Sequence, residues 1–346
     1  MIPVSIITGF LGSGKTTLLA RLMRDPAMGR TAVIINEFGA IGLDHDLIET
    51  SEESFIQLSN GCLCCNVRSD LTLTLGDLAA RRAQGTVPPF ERVVIETSGL
   101  ADPAPILHAL MTDRDLAGVY VLDGVITTVD ALLGLTTLDQ HEESRRQAAV
   151  ADRIVITKTD LDGARTEAIR QRIAIANPGA QVVEAVSGNV SPFVLFDCGF
   201  YDVARKHPDV NNWLAHEASA YRHLHQHAEN DITSFCIVRE APLHAVTLAL
   251  LLSALAQNCG ADLLRMKGIV NVLEDPQRPA VIHGVQHVYH APVWLPRWPS
   301  DDRRTRMVFI GRNLRESWVR ELIELLEDEV AAESDKRTTP LPSFRA

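Results

Sequence analysis

The sequence predicts an α/β protein with a mostly parallel sheet, followed by a smaller α+β domain at the C-terminal end. In the first half of the 346 residues, short Val- and Ile-rich runs alternate with helical patterns, as they do in βαβ units. These runs are apolar throughout rather than alternating, which is typical of strands covered on both faces. Beyond residue 232 the strand and helix patterns are mixed, and the chain is long enough for two hydrophobic cores.

The predicted elements follow these patterns in chain order. The strands of the first half are expected at residues 4–7, 31–36, 54–59, 92–96, 124–130, 153–158 and 181–186. One helix is expected at residues 17–23, and a second is predicted from apolar residues at helical spacing, namely Val67, Leu71, Leu75 and Leu78. In the second half, strands are expected at 233–239, 263–273, 279–290 and 305–310, and helices at 242–257 and 315–330.

Composition sets the domain plan and excludes several classes of protein. We predict domains at residues 1–200 and 232–331, a polar His-rich connector at 201–231, and a disordered tail at 332–346. The net charge of −11 disfavours a nucleic-acid partner. No apolar run reaches the length of about 18 residues that a membrane span needs, so no membrane partner is expected. Free-looking cysteines without a charged leader favour the reducing cytoplasm.

The stretch GFLGSGKT at residues 9–16 matches G-x-x-x-x-G-K-[ST] after a predicted strand and before a predicted helix. Successive backbone N–H groups of such a loop bind phosphate oxygens, so the first domain is predicted to be a P-loop NTPase. Lys15 would reach the β- and γ-phosphates, and the Thr16 hydroxyl would bind Mg²⁺. A chance glycine-rich turn is the alternative, which the flanking elements disfavour. The predicted nucleotide-binding residues are Gly9, Gly12, Ser13, Gly14, Lys15, Thr16 and Thr17.

Two later strand ends supply the remaining parts of a nucleotide site. In VVIETSGL, Glu96 follows a buried strand and would hold Mg²⁺, while the Gly99 N–H would contact the γ-phosphate; the alternative is a surface Glu that ends a strand. In TKTD, the Lys158 stem would stack on a base and Asp160 would accept two N–H bonds from guanine. Thr157 stands where Asn is more usual.

Three cysteines fall within four positions of the stretch NGCLCCNVR, at Cys62, Cys64 and Cys65. Thiolates are soft donors for late metals such as Zn²⁺ or Cu⁺, and two of the three would suit one tetrahedral ion. A redox site would favour C-x-x-C in a thioredoxin-like βαβ context, whereas this spacing is C-x-C-C within a P-loop domain. A buried structural trio is the remaining alternative.

Five segments in this order resemble the CobW-type family of P-loop GTPases, which includes metallochaperones and metalloenzyme activators. The segments are ITGFLGSGKTTLL, INEFG, GCLCCNVR, IETSGLADP and TKTD. The second half resembles the C-terminal module of that family in RMKGIVNV and VIHGVQHVYH. The resemblance covers the first domain in motif order and extends into the second.

The resemblance implies a GTP-hydrolysing metallochaperone that uses GTP and Mg²⁺ and binds zinc, or second cobalt, at the C-x-C-C segment. It also implies nucleotide-gated release to a client metalloprotein that docks on the C-terminal domain. Glu37 is implied as a metal or catalytic residue beside Lys15 and Glu96, and with Asp44 it is a candidate to orient the hydrolytic water. Members often have an acidic residue at the position of Ala40, so one oxygen ligand is missing.

Histidines are abundant, with 12 in the chain. The HLHQH run places His223, His225 and His227 at alternate positions, where three imidazoles could chelate one ion. This predicts an auxiliary metal site, and the alternative is a solvated linker. His283, His287 and His290 resemble family positions in the second domain, with a structural or client-facing role.

Two other functions compete with the metallochaperone. In a metal-storage or sensing protein, nucleotide would not change metal affinity. A small-molecule kinase is disfavoured, because Asp160 points to guanine and no lid-like arginine cluster is apparent.

Overall fold

The computed structural model describes residues 1–35, 67–196, 232–260, 262–289 and 291–338. The chain divides into two compact units, which meet in sequence between Gln226 and Phe235. The predicted fold class is confirmed, with a parallel sheet and helices in the first unit and an antiparallel sheet in the second. No helix in the described ranges is long and apolar enough to cross a membrane.

The first unit contains a six-stranded sheet in which every neighbouring pair of strands is parallel. The strands are β1 (Ile2–Gly9), β2 (Thr31–Ile35), β3 (Arg92–Glu96), β4 (Tyr120–Asp130), β5 (Arg153–Thr157) and β6 (Gln181–Ala185). Their order across the sheet is β2-β3-β1-β4-β5-β6. The first strand therefore lies near the centre, with β3 on one side and β4 on the other.

Helices cover both faces of this sheet, as the near-continuous apolar strands require. They are α1 (Lys15–Leu22), α2 (Val67–Ala83), α3 (Ala104–Thr112), α4 (Arg114–Ala117), α5 (Gly134–Gln140), α6 (Glu142–Val150), α7 (Thr166–Ala176) and α8 (Pro192–Leu195). Val155 packs in the cluster that contains Leu18 and Leu19 of α1. Its neighbours Ile154 and Ile156 pack in a second cluster with residues of α5, α6 and α7. Because successive strand residues face opposite sides, these clusters lie on opposite faces of the sheet.

The carboxyl ends of the four central strands meet at one edge of the sheet. Glu96, Gly9, Asp130 and Thr157 end β3, β1, β4 and β5, which are neighbours in this order. Parallel sheets bind ligands at this edge, because the connecting loops and helix N-termini gather there. The edge therefore brings together motifs that are far apart in the sequence.

The second sheet has the order β10-β9-β8-β12-β7, and its pairs β8–β9, β8–β12, β9–β10 and β9–β11 are antiparallel. The strands are β7 (Ile232–Arg239), β8 (Leu263–Val270), β9 (Ala280–Val285), β10 (Val288–Tyr289), β11 (Val293–Trp294) and β12 (Thr305–Arg312). Two helices, α9 (Ala245–Cys259) and α10 (Glu316–Thr338), share its apolar core. This core includes Leu251 and Ile323 from the helices and Phe309 from the sheet.

The structure corrects several predicted elements. The strand β6 was expected to be buried, but it is an edge strand with Gln181 and Glu184 exposed, because only one strand pairs with it. The strand expected at 279–290 is two short strands separated by a turn in which Gln286 has a positive φ of 54°. The strand expected at 54–59 lies outside the described residues.

The last helix is longer than predicted. It ends at Thr338 rather than at residue 330 and so includes the beginning of the segment expected to be a disordered tail. Residues 331–338 contain neither Gly nor Pro, and their sequence AAESDKRT continues the helix until Pro340 is near. Residues 339–346 lie outside the described ranges.

The core beneath α1 yields a stability prediction. Leu18 is fully buried, so Leu18→Ala is expected to lower the free energy of unfolding of the first unit by about 2–5 kcal/mol, because it leaves a cavity. Leu73→Ala, at a side chain that is 70% exposed, is the matched control and should change it by about 0.5 kcal/mol or less. Urea unfolding of the full chain measures both, and equal effects would contradict the packing described here.

Candidate functional site

The loop between β1 and α1 has the backbone of a phosphate-binding loop. Gly9 has a φ of +141°, and a Cβ on it would lie 2.3 Å from Thr128 Oγ1 and 2.5 Å from the Thr128 carbonyl oxygen. Gly14 precedes α1 in the left-handed region, with a φ of 91°. Both positions therefore require glycine for steric reasons. The loop ends at the N-terminus of α1, where Lys15 and Thr16 begin the helix.

Hydrogen bonds from neighbouring strands hold this loop. The Thr157 hydroxyl at the end of β5 donates to the Ser13 carbonyl oxygen at 2.7 Å. The Ser13 hydroxyl is 2.6 Å from Thr128 Oγ1 on β4. Thr157, which replaces the more usual Asn, therefore anchors the phosphate loop through its hydroxyl group.

Thr16 and Glu96 lie in direct contact. The Thr16 hydroxyl donates to Glu96 Oε1 at 2.7 Å, and Glu96 is only 4% exposed at the end of β3. A hydroxyl oxygen and a carboxylate are the hard ligands that Mg²⁺ prefers. The pair therefore fits the predicted magnesium site. Lys15 is also buried, and its Nζ donates to the Phe10 carbonyl oxygen at 3.2 Å.

The segment after Glu96 lies against the phosphate loop. A Cβ on Gly99 would be 2.6 Å from the backbone nitrogen of Leu11, so only glycine permits this approach. The Thr97 hydroxyl donates to Thr8 Oγ1 at 2.8 Å and ties the same segment to β1. The structure thus brings Gly99 next to the phosphate loop, and its contact with a γ-phosphate stays a prediction.

Gln147 of α6 supports the segment after Glu96, and this role was not predicted from the sequence. Its Nε2 donates to the carbonyl oxygens of Gly99 and Ala101 at 3.1 and 3.0 Å, and its side chain is completely buried. The adjacent Arg146 donates to Asp102 Oδ2 at 3.1 Å. A helical Gln is usually a surface residue, so the sequence carries only a weak signal for this role.

Lys158 and Asp160 follow β5 at the other end of the site. Lys158 leaves the strand with a φ of 57°, a strained value for a residue with a side chain, and its Nζ donates to the Gly12 carbonyl oxygen at 2.9 Å. Asp160 accepts hydrogen bonds from the Ser187 backbone N–H at 3.1 Å and from the Ser187 hydroxyl at 3.2 Å. The Ser187 N–H bond is the main reason that the pKa of Asp160 is below its usual value. The Asp160 carboxylate is therefore ionised and oriented.

The role of Ser187 was not predicted from the sequence either. It lies in a tight turn that Val186 and Asn189 close, with φ values of 51° for Ser187 and 76° for Gly188. Two successive positive φ values are those of a type I′ turn, and the Ser-Gly dipeptide was the available sequence signal. Gly188 lies against α1, since a Cβ there would be 3.4 Å from the Thr17 carbonyl oxygen.

The predicted transition-metal ligands lie outside the described residues. These are Glu37, Cys62, Cys64, Cys65, His223, His225 and His227, together with Asp44 and Ala40 of the same prediction. Within the described ranges, no group of three or more His, Cys, Asp or Glu side chains is arranged to hold a metal ion. In the second unit, His283 is buried and His287 is exposed, so only His287 of this pair is presented to solvent, and His290 is not described.

Comparison with known protein families identifies the family whose sequence pattern this chain matches. The family model described as "CobW/HypB/UreG, nucleotide-binding domain" matches residues 3–184, which contain the phosphate loop, Glu96, Gly99, Lys158 and Asp160. The chain belongs to the CobW family. A second model, "Cobalamin synthesis protein cobW C-terminal domain", matches residues 232–326 of this CobW-family protein.

Relatives of this CobW-family protein match over nearly its full length. The zinc chaperone YjiA of Escherichia coli is 33% identical over 323 residues, with 92% of this chain and 96% of the relative covered. The zinc chaperone CobW of Pseudomonas aeruginosa is 32% identical over 348 residues, covering 90% and 88%. The crystal structure of Zn(II)-bound YjiA GTPase from E. coli has a TM-score of 0.70 and 29% identity, covering 94% of this chain and 98% of that chain.

The role of Gln147 in this CobW-family protein can be tested by an apolar substitution. Gln147→Leu keeps most of the volume but leaves two carbonyl oxygens without their donor, so the free energy of unfolding should fall by about 1–3 kcal/mol. Amide hydrogen exchange of residues 97–101 should also increase. Gln171→Leu, on the exposed surface of α7, is the control and should change neither measurement. Unchanged exchange in Gln147→Leu would show that Gln147 does not support the segment.

Proposed function

We propose that this protein is a GTP-hydrolysing metallochaperone whose cargo is zinc. The main observation in its support is the arrangement at the carboxyl edge of the parallel sheet. Thr16 and Glu96 lie at one end of this edge and Asp160 lies at the other, and the Lys158–Gly12 hydrogen bond connects the two ends. Family membership and relatives named zinc chaperones and GTPases support it. Cobalt is the second candidate cargo. We place the activity in the reducing cytoplasm, which free cysteines favour.

Each part of the edge has a defined task in GTP hydrolysis. The N–H groups at residues 12–16 and the Lys15 ammonium group would bind the phosphate oxygens. Thr16 and Glu96 would hold Mg²⁺, which when bound neutralises charge that develops on the phosphates. The Gly99 N–H would contact the γ-phosphate. Gln147 fixes the segment to which Gly99 belongs, so this contact would be prepared before nucleotide binds.

Selection of guanine would rest on the Asp160 carboxylate. Guanine presents two adjacent N–H donors to it, and adenine presents no matching pair, so adenine would leave the carboxylate without partners. Ser187 orients this carboxylate through two hydrogen bonds. Lys158 would stack its aliphatic stem on the base.

The metal cargo would be coupled to the nucleotide through the chain segment between β2 and α2. Ile35, the last residue of β2, pairs in register with Glu96, and Glu37 follows two residues later in the sequence. Cys62, Cys64 and Cys65 precede α2. Ligands on a segment that responds to the γ-phosphate would bind metal with an affinity that depends on the nucleotide. We assign Glu37, Cys62, Cys64 and Cys65 to the cargo site, and His223, His225 and His227 to an auxiliary site.

Transfer would end at a client metalloprotein, and we propose that this client docks on the C-terminal unit. The name of a shorter-matching relative, "Zinc-regulated GTPase metalloprotein activator 1" of Schizosaccharomyces pombe, supports a protein client. That relative is 32% identical over 197 residues, which cover 55% of this chain. The docking site on the C-terminal unit is inferred from the family resemblance.

Metal titrations in two nucleotide states test the gating. Zn²⁺ and Co²⁺ competition titrations, with Mg²⁺ plus GDP and then with Mg²⁺ plus a non-hydrolysable GTP analogue, should show tighter binding in the GTP-like state by about 5- to 150-fold. The Cys64→Ser/Cys65→Ser double variant should lose this difference. Cys236→Ser, which changes a cysteine of the second sheet, is the control and should retain it. Equal affinity in both states would favour a metal-storage or sensing protein instead.

Base selection is tested by exchanging one carboxylate. Asp160→Asn should weaken GDP binding by at least about 100-fold, because its amide N–H would face the N–H groups of guanine. The same variant should gain affinity for xanthosine diphosphate, whose carbonyl oxygen can accept that N–H. Asp162→Asn, at an exposed acid two residues away, is the control and should bind GDP like the unchanged protein. Titration with fluorescent nucleotides measures the affinities of the unchanged protein and of both variants. Unchanged GDP binding by Asp160→Asn would contradict the assignment of Asp160 to guanine selection.

A further inference from the structure

Asp130 is the last residue of β4, between the phosphate-loop strand and the base-site strand, and it is only 6% exposed. Its two carboxylate oxygens have different partners. Oδ1 accepts the backbone N–H groups of Leu132 and Leu133 at 2.7 and 3.2 Å. Oδ2 forms an ion pair with Lys158 Nζ. One oxygen therefore shapes the turn after β4, and the other contacts the nucleotide site.

Lys158 is held by two acceptors at once. Its Nζ donates to Asp130 Oδ2 and to the Gly12 carbonyl oxygen of the phosphate loop. These contacts connect the ends of β4 and β5 to the phosphate loop through a single ammonium group. Both acceptors are parts of the protein itself, so they restrain the end of the Lys158 side chain in advance of nucleotide binding.

The surroundings explain why this lysine needs an anchor. Asp130 and Lys158 both line a cavity of about 310 Å³ beside the phosphate loop, together with Phe10, Leu133 and His141. A lysine side chain next to open volume has many accessible rotamers, and ordering it on binding costs conformational entropy. The Asp130 carboxylate removes that freedom in advance, which is the general basis of preorganised binding.

The carboxylate is ionised at neutral pH. Burial alone would raise the pKa of Asp130, but the hydrogen bond from Lys158 and those from the Leu132 and Leu133 N–H groups outweigh it and lower the pKa. The lysine therefore faces a full negative charge, and charge-assisted hydrogen bonds of this kind are the stronger ones.

We infer that Asp130 is a positioning residue for nucleotide binding, which holds the Lys158 stem in place as one wall of the base site. This inference rests on the proposed function, because Lys158 has this task only if a guanine nucleotide binds at the edge. Asp130 itself touches neither base nor phosphate in this role. It should therefore affect the strength of binding without affecting the choice of base.

Two substitutions of Asp130 separate its two tasks. Asp130→Asn keeps an oxygen that can cap Leu132 and Leu133 but loses the charge that holds Lys158. Asp130→Glu keeps the charge on a longer side chain. The matched control is Asp113→Asn, because Asp113 Oδ1 accepts the N–H groups of Asp115 and Leu116 at 3.0 and 3.1 Å in a similar turn before α4.

The experiment measures affinities and dissociation rates of fluorescent GDP and xanthosine diphosphate on the full chain, with thermal unfolding of each variant. Asp130→Asn should weaken GDP binding by about 10-fold, mainly through faster dissociation, because the lysine is then ordered only on binding. Its preference for GDP over xanthosine diphosphate should stay unchanged. Asp130→Glu should recover part of the affinity, and Asp113→Asn should bind GDP normally with a similar change in melting temperature.

Two outcomes would overturn the inference. In the first, Asp130→Asn binds GDP as tightly as the unchanged protein. In the second, Asp130→Glu and Asp130→Asn lose affinity equally and in step with melting temperature, which would leave Asp130 as a turn cap alone. Failure of the proposed function gives a different result. In that case the unchanged protein would not bind GDP, or Asp160→Asn would not alter its base preference.

Discussion

The hydrogen bond from the Thr157 hydroxyl to the Ser13 carbonyl oxygen connects the end of β5 to the phosphate loop, and the nucleotide site depends on it. A loop rich in glycine has little stiffness of its own, so its N–H groups point at one place only when neighbouring strands restrain it. Thr157 supplies one restraint at 2.7 Å, Thr128 supplies a second through the Ser13 hydroxyl, and Lys158 supplies a third through Gly12. Two of these contacts use backbone carbonyl oxygens of the loop as acceptors and therefore use none of its N–H groups.

The acidic groups of the site differ in their surroundings, and this difference assigns their tasks. Glu96 is buried and accepts a hydrogen bond from the Thr16 hydroxyl, so the two side chains offer the oxygen ligands that a magnesium ion prefers. Asp160 is solvent-exposed and is oriented by Ser187, so it can exchange these partners for a base without a large desolvation penalty. Asp130 is buried and already paired with a lysine. Three carboxylates on one sheet edge thus suit cation binding, base selection and positioning.

The sequence predicted the parts of the site that are contiguous in the chain. The phosphate loop, Glu96 with Gly99, and Lys158 with Asp160 each have a short motif at a strand end, and the structure gathers them at one edge. Gln147, Ser187 and Asp130 have no such motif, because each acts on a partner 27 to 48 positions away. The fold class followed from the alternation of apolar runs. The exposure of β6 could not be predicted in this way, because it depends on which strands are neighbours in space. The end of α10 could not be predicted either, because helix propensity continues beyond the apolar stripe.

The long separation between the two ends of the Thr157–Ser13 hydrogen bond affects how the protein is made. Ser13 and Thr157 are 144 positions apart, and the Ser187 turn lies further still along the chain. During synthesis the phosphate loop therefore leaves the ribosome early, but two of its three restraints, from Thr157 and Lys158, exist only after β5 has been made and inserted beside β4. Contacts between distant parts of a chain form late, because the intervening loop must first be closed. A growing chain would thus be unable to bind nucleotide tightly until the first unit is essentially complete, so nucleotide loading and completion of the unit would coincide.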